Sequence, residues 1–463
     1  MNKSGLVLFR SDNLRLNDNH VLIKAHRENT NVLHIFIYDS KIFGINNKLY
    51  KYKDLSQLDY PKTSIFRSKF IIECVENLKK NLKNLNNDLI IKHGNIGTIL
   101  KDICEKYKID NVYTNQGKAN FEKNSLKNIK KKLGNNVNFN IVWENTLVPI
   151  NRLPFNIETT FPNTATSFRK KLESNCNINF PEKIPKIKKQ HINVNIESDV
   201  INLDILGFTD KEILKNKQLP IGGEDAALNR INDYFWDKQL LHNYFDTRNE
   251  LMGENFSSKL AHYLSSGCIS PRYIVHEVLR YEKTVYKNKS TYWLIFELYF
   301  REYFIYYSEY YGSKIFQKCA VKSKTTYNWC NDLKLFKLWC NGETRNPLID
   351  AFMIEMKNTG YISNRGRQIV ASYLTRDLNI DWRLGALYFQ SMLIDYDPAL
   401  NWGNWNYSAG VGSDPRENRY FSIPKQAEKF DPKYKFIRHW LPKFNYHNDS
   451  YIKRLLRKGT RSN

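Results

Sequence analysis

The sequence predicts an α/β domain built on a doubly wound parallel sheet, then a long connector, then an all-helical domain. Two observations carry this. Through the first third, short runs rich in β-branched and aromatic residues alternate with lysine-rich stretches of helical period, as in a parallel sheet with crossover helices. Beyond Gly222 the strand signals vanish and apolar residues recur at 3.6-residue spacing to about Phe444. A chain of 463 residues can hold two or three domains with separate cores.

In order, the predicted strands are Val7 to Phe9, Val32 to Tyr38, Asp88 to Lys92, Asn111 to Thr114 and Phe139 to Trp143. Ile65 to Leu85 and Ile96 to Lys106 are the clearest helices between them, so residues 1–150 form the α/β domain. From 151 to 221 the pattern dissolves into Pro, Asn, Lys and Ile, apart from a short helix expected at Thr166 to Glu173. So long a connector is expected to pack over the surface and to have a job there. Residues 222–445 form the helical domain and 446–463 a short basic tail.

Lys plus Arg number 71 against 47 acids, a formal charge of +24, which makes a polyanion the first partner to consider. Lysine and asparagine spread through the loops would also give a merely solvated surface, and charge alone leaves both readings open. The seven cysteines form no C-x-x-C, which fits a reducing compartment without disulfides. The first strand begins almost at Met1, leaving no room for a signal or transit peptide, and no apolar run approaches the roughly 20 residues of a membrane helix. A soluble intracellular protein, cytoplasmic or nuclear, is expected. The ten histidines show no H-E-x-x-H or H-x-H, so no metal is expected. G-x-G-x-x-G, the P-loop and G-x-S-x-G are all absent, which removes the usual dinucleotide, nucleotide and acyl-transfer readings.

Three segments could carry chemistry. In Thr291 to Tyr311, Tyr292, Phe296, Tyr299, Tyr303 and Tyr307 share one helical face, and Trp293, Ile295, Phe300 and Phe304 cover the others, so the helix is buried. Glu297 and Arg301 stand four residues apart within it, and two dehydrated charges there need each other, further partners or a ligand. A structural ion pair and a binding site are both compatible with this spacing. In the segment Asn255 to Gly267, Ser257 reads as an N-cap and Gly267 as a stop, and a helix start bearing Lys259 would suit a phosphate, although most such starts bind nothing. Asn364, Arg365, Arg367, Asp395, Asp397, Asn401 and Asn404 are too polar for ordinary turns in so aromatic a domain and read as a ligand cage, against the alternative of solvated Asx turns. Nine tryptophans, eight of them beyond residue 230, read by default as core packing.

These stretches, in this order, resemble the photolyase and cryptochrome family, and within it the cryptochrome DASH subgroup. The resemblance rests on FRSDNLRLNDN (9 to 19), the PKT and FRSKF region (61 to 70), TSFRKKLE (166 to 173), ELYFREYF (297 to 304), NPLIDAFMIEMKNTGYISNRGRQIVAS (346 to 372) and WGNWNYSAGVGSDPRENRYFSIPKQAEKFDP (402 to 432). It implies a U-shaped FAD in the helical domain, with Tyr244, Ser257, Ser258, Lys259 and Leu260 around the phosphates. Arg301, Asn364, Arg367, Asp395, Asp397 and Asn401 would line the flavin, Arg367 and Asp395 as a dry pair and Asn401 near N5.

The resemblance further implies blue-light repair of cyclobutane pyrimidine dimers, preferentially in single-stranded DNA, by electron transfer from reduced flavin to a flipped dimer. A carbon–carbon lyase of this kind would work as a monomer. Glu297 would hydrogen-bond the dimer as a buried carboxyl, and Trp405, Trp382 and Trp329 would relay electrons from the surface to the flavin. Arg248, Phe300, Arg365, Tyr407, Arg416, Arg419 and Lys425, with Glu297, would face the DNA. RNA is a further nucleic acid such a surface could take. The alternative function is a blue-light photoreceptor or regulator that binds nucleic acid without repair.

The sequence departs from the family pattern in three places. Phe300 stands where a Trp is usual, which keeps an aromatic but weakens stacking on a lesion. The opening motif has one extra residue. Segment 113 to 118, YTNQGK, lacks the acidic residue expected for a 5,10-methenyltetrahydrofolate antenna, which argues against that second chromophore.

Overall fold

The computed structural model describes residues 3–49, 58–185, 187, 196–209, 219–322, 327–413, 420–442 and 448–457. Five parallel strands, β1 (Ser4–Phe9), β2 (Asn31–Asp39), β3 (Ile90–Gly94), β4 (Asn111–Asn115) and β5 (Asn138–Val142), lie in the order β3-β2-β1-β4-β5. Helices α1 (His20–Glu28), α2 (Ile65–Asn84), α3 (Ile96–Lys106) and α4 (Asn120–Leu133) make the crossovers. This is the doubly wound sheet that the alternating pattern predicts, with each strand within a residue or three of its expected ends.

Period-two alternation sorts the strand side chains into two cores. Leu6, Leu8, Leu33, Ile35 and Ile37 pack with Leu100 and Ile103 of α3 and Leu126 and Ile129 of α4. Val7, Phe9, Phe36 and Tyr38 on the opposite face join α1 and α2, and that core runs on without a break into the helical half. The sheet therefore has one private face and one face that is already part of the second domain.

The connector contains α5 (Ala165–Asn175), two residues longer at its C-terminal end than expected, which packs along α10. Beyond it the described elements are helical. They are α6 (Glu224–Ile231), α7 (Tyr244–Thr247), α8 (Ala261–Ser265), α9 (Pro271–Thr284), α10 (Lys289–Tyr311), α11 (Leu333–Asn341), α12 (Pro347–Thr359), α13 (Asn364–Ser372), α14 (Trp382–Met392), α15 (Pro398–Ala409), α16 (Ile423–Phe430), α17 (Lys435–Trp440) and α18 (Asp449–Arg457). Their ends follow local chemistry: Ser270, Asn346 and Asp397 cap α9, α12 and α15 ahead of a proline, and left-handed Gly360 and Gly410 close α12 and α15. The segment read as a basic tail holds α18, which buries Ile452 and Leu456 against α12 and α16. Among the described residues no helix is long and apolar enough to cross a membrane.

The motif FRSDNLRLNDN turns out to be the hinge pin between the halves. Arg15, wholly buried, donates to Glu144 at 2.6 Å, to Asn145 at 2.6 Å and to the Gly267 carbonyl at 3.1 Å. Glu224 accepts the Leu16 and Asn17 N–H groups at 2.8 and 2.9 Å, and Arg272 pairs with Asp18. Glu302 of α10 accepts from the Leu147 and Val148 N–H groups at 2.9 and 3.0 Å. Arg15 and Glu144 pair within the α/β half, and the Gly267 carbonyl, Glu224, Arg272 and Glu302 carry the polar contacts across the junction, as a dry interface requires.

Gly267 ends α8 with φ +67°, and a Cβ there would sit 2.1 Å from the Asp12 carbonyl oxygen, which belongs to the opposite half. Replacing Gly267 by Ala is expected to destabilise the protein by about 2 kcal/mol or more, read as a lower urea midpoint. An unchanged midpoint would show that the junction yields freely.

Candidate functional site

A cavity of about 560 Å³ opens in the helical half, within the usual range for a cofactor or ligand pocket. Its wall includes every residue assigned above to the cofactor: Tyr244, Ser257, Ser258, Lys259, Leu260, Arg301, Asn364, Arg367, Asp395, Asp397 and Asn401. Arg248, Glu297, Phe300, Arg365 and Tyr407 line the same cavity, and so does Ala165 of the connector. The polar residues gathered as a cage therefore converge, although α13 and α15 lie far apart in sequence. Solvated Asx turns do not describe them.

At one end the chain turns through 253–260 into α8. Here the sequence reading needs correction: Ser257 is not an N-cap, because α8 begins only at Ala261 and spans five residues. Lys259 instead takes a left-handed conformation at φ 55°. Its amino group donates to Tyr361 Oη at 2.9 Å and lies over the Phe256 and Tyr361 rings. Burial pushes it down to about 7, and burial pushes the neighbouring Glu355 carboxyl up to about 8. Arg230 holds the turn from behind, donating to the Ser258 carbonyl at 3.0 Å and to the Ser257 carbonyl at 3.1 Å.

In the middle, Ser363 caps α13 and so fixes Asn364, Arg365 and Arg367 on its first turns. Arg367 reaches both oxygens of Asp395 at 2.9 Å, the expected pair. Asn401 donates to the Ala386 carbonyl at 3.0 Å, which fixes its amide. Asp397 spends Oδ1 on capping α15 and places Oδ2 2.7 Å from Lys118 of the α/β half. Arg301 donates through Nη1 to the Asn145 carbonyl at 2.7 Å, while its buried Nη2 has no hydrogen-bond partner among the described residues.

The expectation of a dehydrated Glu297 does not hold, nor does pairing with Arg301. The Glu297 side chain is 29% exposed and pairs with Arg248. Trp293 also donates to it at 3.1 Å, and both contacts engage Oε1, leaving Oε2 without a described partner. Helical spacing put Glu297 and Arg301 on neighbouring turns, but each turns to a partner on another element. Trp293, Phe296 and Phe300 form an aromatic strip beside Glu297, with centroids 4.5 and 5.0 Å apart. Arg365 also contacts Gln368 and Asn249, and Lys425 is exposed on α16. Arg416 and Arg419 lie outside the described residues.

Trp405 lines the cavity, and Trp382 and Trp329 lie behind it in the core. Pairing of Cys330 with 379–381 brings Trp329 beside the start of α14, which Trp382 opens. The three rings do not stack on one another: Trp382 packs edge-on against Trp402 and Trp405 against Phe389. Trp329 is itself only 4% exposed, beneath Tyr327, which stacks on it at 5.4 Å. Segment 113–118 is buried, and Tyr113, Thr114, Gln116 and Lys118 are each engaged by protein partners.

Sequence reasoning missed Arg230, Glu355, Tyr361 and Lys118. Glu355 and Tyr361 fall within the 346–372 stretch and Lys118 ends segment 113–118, but nothing local marks any of the four, and each acquires its role through a partner from another element.

A family model for the DNA photolyase domain matches residues 5–188, and one for the FAD-binding domain of DNA photolyase matches residues 293–462. A Solanum lycopersicum protein named cryptochrome DASH, chloroplastic/mitochondrial, is 40% identical, over 94% of this chain and 76% of its own. The solved cryptochrome of Synechocystis sp. superposes with a TM-score of 0.88 at 35% identity, over 98% of this chain and 92% of that one. An archaeal photolyase from Sulfolobus tokodaii, solved with two FAD molecules, superposes with a TM-score of 0.76 at 28% identity, covering 98% and 93%.

FAD fits the donor set on grounds internal to this chain. The unpaired Arg301 Nη2 and the desolvated Lys259 are cationic donors that a polyanionic, hydrogen-bonding ligand satisfies. A pyrophosphate beside Lys259 would favour its charged form, and binding above pH 7 would then take up a proton. The FAD dissociation constant is therefore expected to rise between pH 7 and 9, by up to about tenfold per unit. Lys259→Met should flatten that rise. A profile identical in protein and variant would remove Lys259 from the phosphate end.

Proposed function

The chain belongs to the photolyase and cryptochrome family and groups with cryptochrome DASH; from this premise we propose that it repairs cyclobutane pyrimidine dimers under blue light, preferentially in single-stranded DNA. The observation that carries the reading is that Glu297 and the aromatic strip Trp293, Phe296 and Phe300 line the same cavity as the cofactor-binding residues. Lesion and cofactor would then meet in one cavity. Bound FAD, when reduced, supplies the light-driven electron that opens the cyclobutane ring and is afterwards returned.

The protein's own groups prepare that encounter. Arg367 and Asp395 neutralise each other beside the cofactor, and Asn401 is held by the Ala386 carbonyl so that its amide faces a fixed target. Glu297 is oriented through Oε1 by Arg248 and Trp293, which leaves Oε2 to hydrogen-bond an extruded pyrimidine. Phe300 and Tyr407 supply apolar faces for it. This stacking surface is smaller than one built from two tryptophans, and so favours lesions that cost little to extrude, as in a single strand. Arg365 is placed for phosphate, which sets position and carries no sequence preference. Trp405, Trp382 and Trp329 are the proposed relay that reduces the cofactor in light. Engagement of 113–118 inside the protein supports a chain working on flavin alone.

The second reading is a photoreceptor or regulator that binds nucleic acid without repair. One observation favours it: the Glu297 carboxylate already has two protein partners, so a lesion gains only its second oxygen.

Purified protein with reduced flavin should restore a thymine dimer in a single-stranded oligonucleotide under blue light. Glu297→Ala should lower the repair yield roughly tenfold or more with flavin retained. No restoration by the parent protein would leave the photoreceptor reading standing. Trp382→Phe should slow photoreduction of oxidised flavin while sparing repair by chemically reduced protein. Equal loss of both activities would contradict the relay.

A further inference from the structure

Open parallel sheets ordinarily take a ligand beyond the carboxyl ends of their strands, at the point where the strand order reverses. In this sheet that point lies between β1 and β4. Here the chain fills the crevice itself. Asp12, just past β1, and Lys118, just past β4, meet at 3.5 Å, with Arg10 3.7 Å from Asp12 and 3.1 Å from Glu122. Lys118 then leaves the α/β half and reaches Asp397 Oδ2 at 2.7 Å. Its own backbone is clamped: its N–H donates to Glu122 at 2.8 Å, and its carbonyl accepts from Ser308 of α10 at 2.7 Å. The residue is 3% exposed. Burial alone would lower its basicity, but Asp397 and Asp12 outweigh burial and hold the amino group above its ordinary value.

Asp397 stands in the cavity wall and caps α15, the helix that carries Asn401 and Trp405 into the same cavity. We propose that Lys118 is a positioning residue for the bound flavin: it compensates and immobilises the Asp397 carboxylate across the domain junction, and thereby sets the affinity and the reduction potential of the cofactor. The inference rests on FAD occupying this cavity and on nothing about DNA. Without Lys118, Asp397 loses its hydrogen-bonded cation and keeps only the nearby Arg301 guanidinium, so its charge is under-compensated in a buried wall. Such a charge strains the start of α15 and opposes adding electrons to a neighbouring ring. Removing both charges takes away the unmatched pair together and leaves Asp12 to Arg10 and Asn115, and Asn at 397 still caps a helix.

The test uses the full chain and two readouts independent of repair, the FAD dissociation constant and the flavin reduction potential against a reference dye. Lys118→Met is expected to raise the dissociation constant roughly tenfold or more and to lower the potential. Lys118→Arg, which keeps the charge, should hold both near the parent values. The double variant Lys118→Met with Asp397→Asn should bind FAD more tightly than either Lys118→Met or Asp397→Asn alone. If Lys118→Met does not fold, the comparison of Asp397→Asn with the double variant decides. Folded Lys118→Met with parental affinity and potential, Lys118→Arg failing as badly as Met, or a double variant no better than Asp397→Asn would each overturn the proposal. A protein that repairs no DNA can still pass, so the two readings fail separately.

Discussion

The structure depends on a requirement of electrostatics: charges sealed between the two halves must answer one another. Arg15 with the Gly267 carbonyl, Arg272 with Asp18, Glu302 with the 147–148 backbone, and Lys118 with Asp397 all span the junction. A buried pair contributes little to stability relative to an apolar replacement, but losing one member costs several kcal/mol, on the order of 3–5. Such pairs therefore fix register more than they add stability. Because α10 and α15 bear the ends of two of them, the cavity wall is positioned by loops of a sheet that contributes no wall residue of its own.

That wall changes character along its length. Lys259, deprived of water, marks one end; the reciprocal Arg367 and Asp395 pair and the half-satisfied Arg301 mark the middle; Glu297 with its aromatic strip marks the other. A bent cofactor with a phosphate end and a planar ring fits this sequence of environments, and the remaining aromatic surface is left for a second planar group. Of the basic residues proposed to face DNA, Arg365 and Arg248 line the cavity, and Arg248 is already committed to Glu297. Whether the second planar group is a damaged base is a matter of chemistry at Glu297, on which the lyase and photoreceptor readings divide.

The sheet was legible because strands buried on both faces are short apolar runs that few other contexts produce, and Ile96–Lys106 matched to the residue because an asparagine cap opens it. The convergence of 364–404 could be read from polar residues set among tryptophans, with solvated turns as the competing reading. Other features were not. Ser257 imitates an N-cap because two serines precede an apolar run, and only the left-handed Lys259 shows that the helix has not begun. Glu297 and Arg301 imitate an ion pair because helical spacing says where side chains start and nothing of what they reach. Lys118 lies 279 residues from its partner, a separation at which no local pattern speaks. The tryptophan relay came only from family resemblance, since buried tryptophans look alike in sequence whatever they do.

The central claim is that this cavity is a flavin pocket. The most direct measurement is the absorption spectrum of purified protein, before and after heat release of its chromophores, with their amounts set against protein. The account predicts one FAD per chain and no folate. A well-folded, colourless preparation that takes up no added FAD would contradict it.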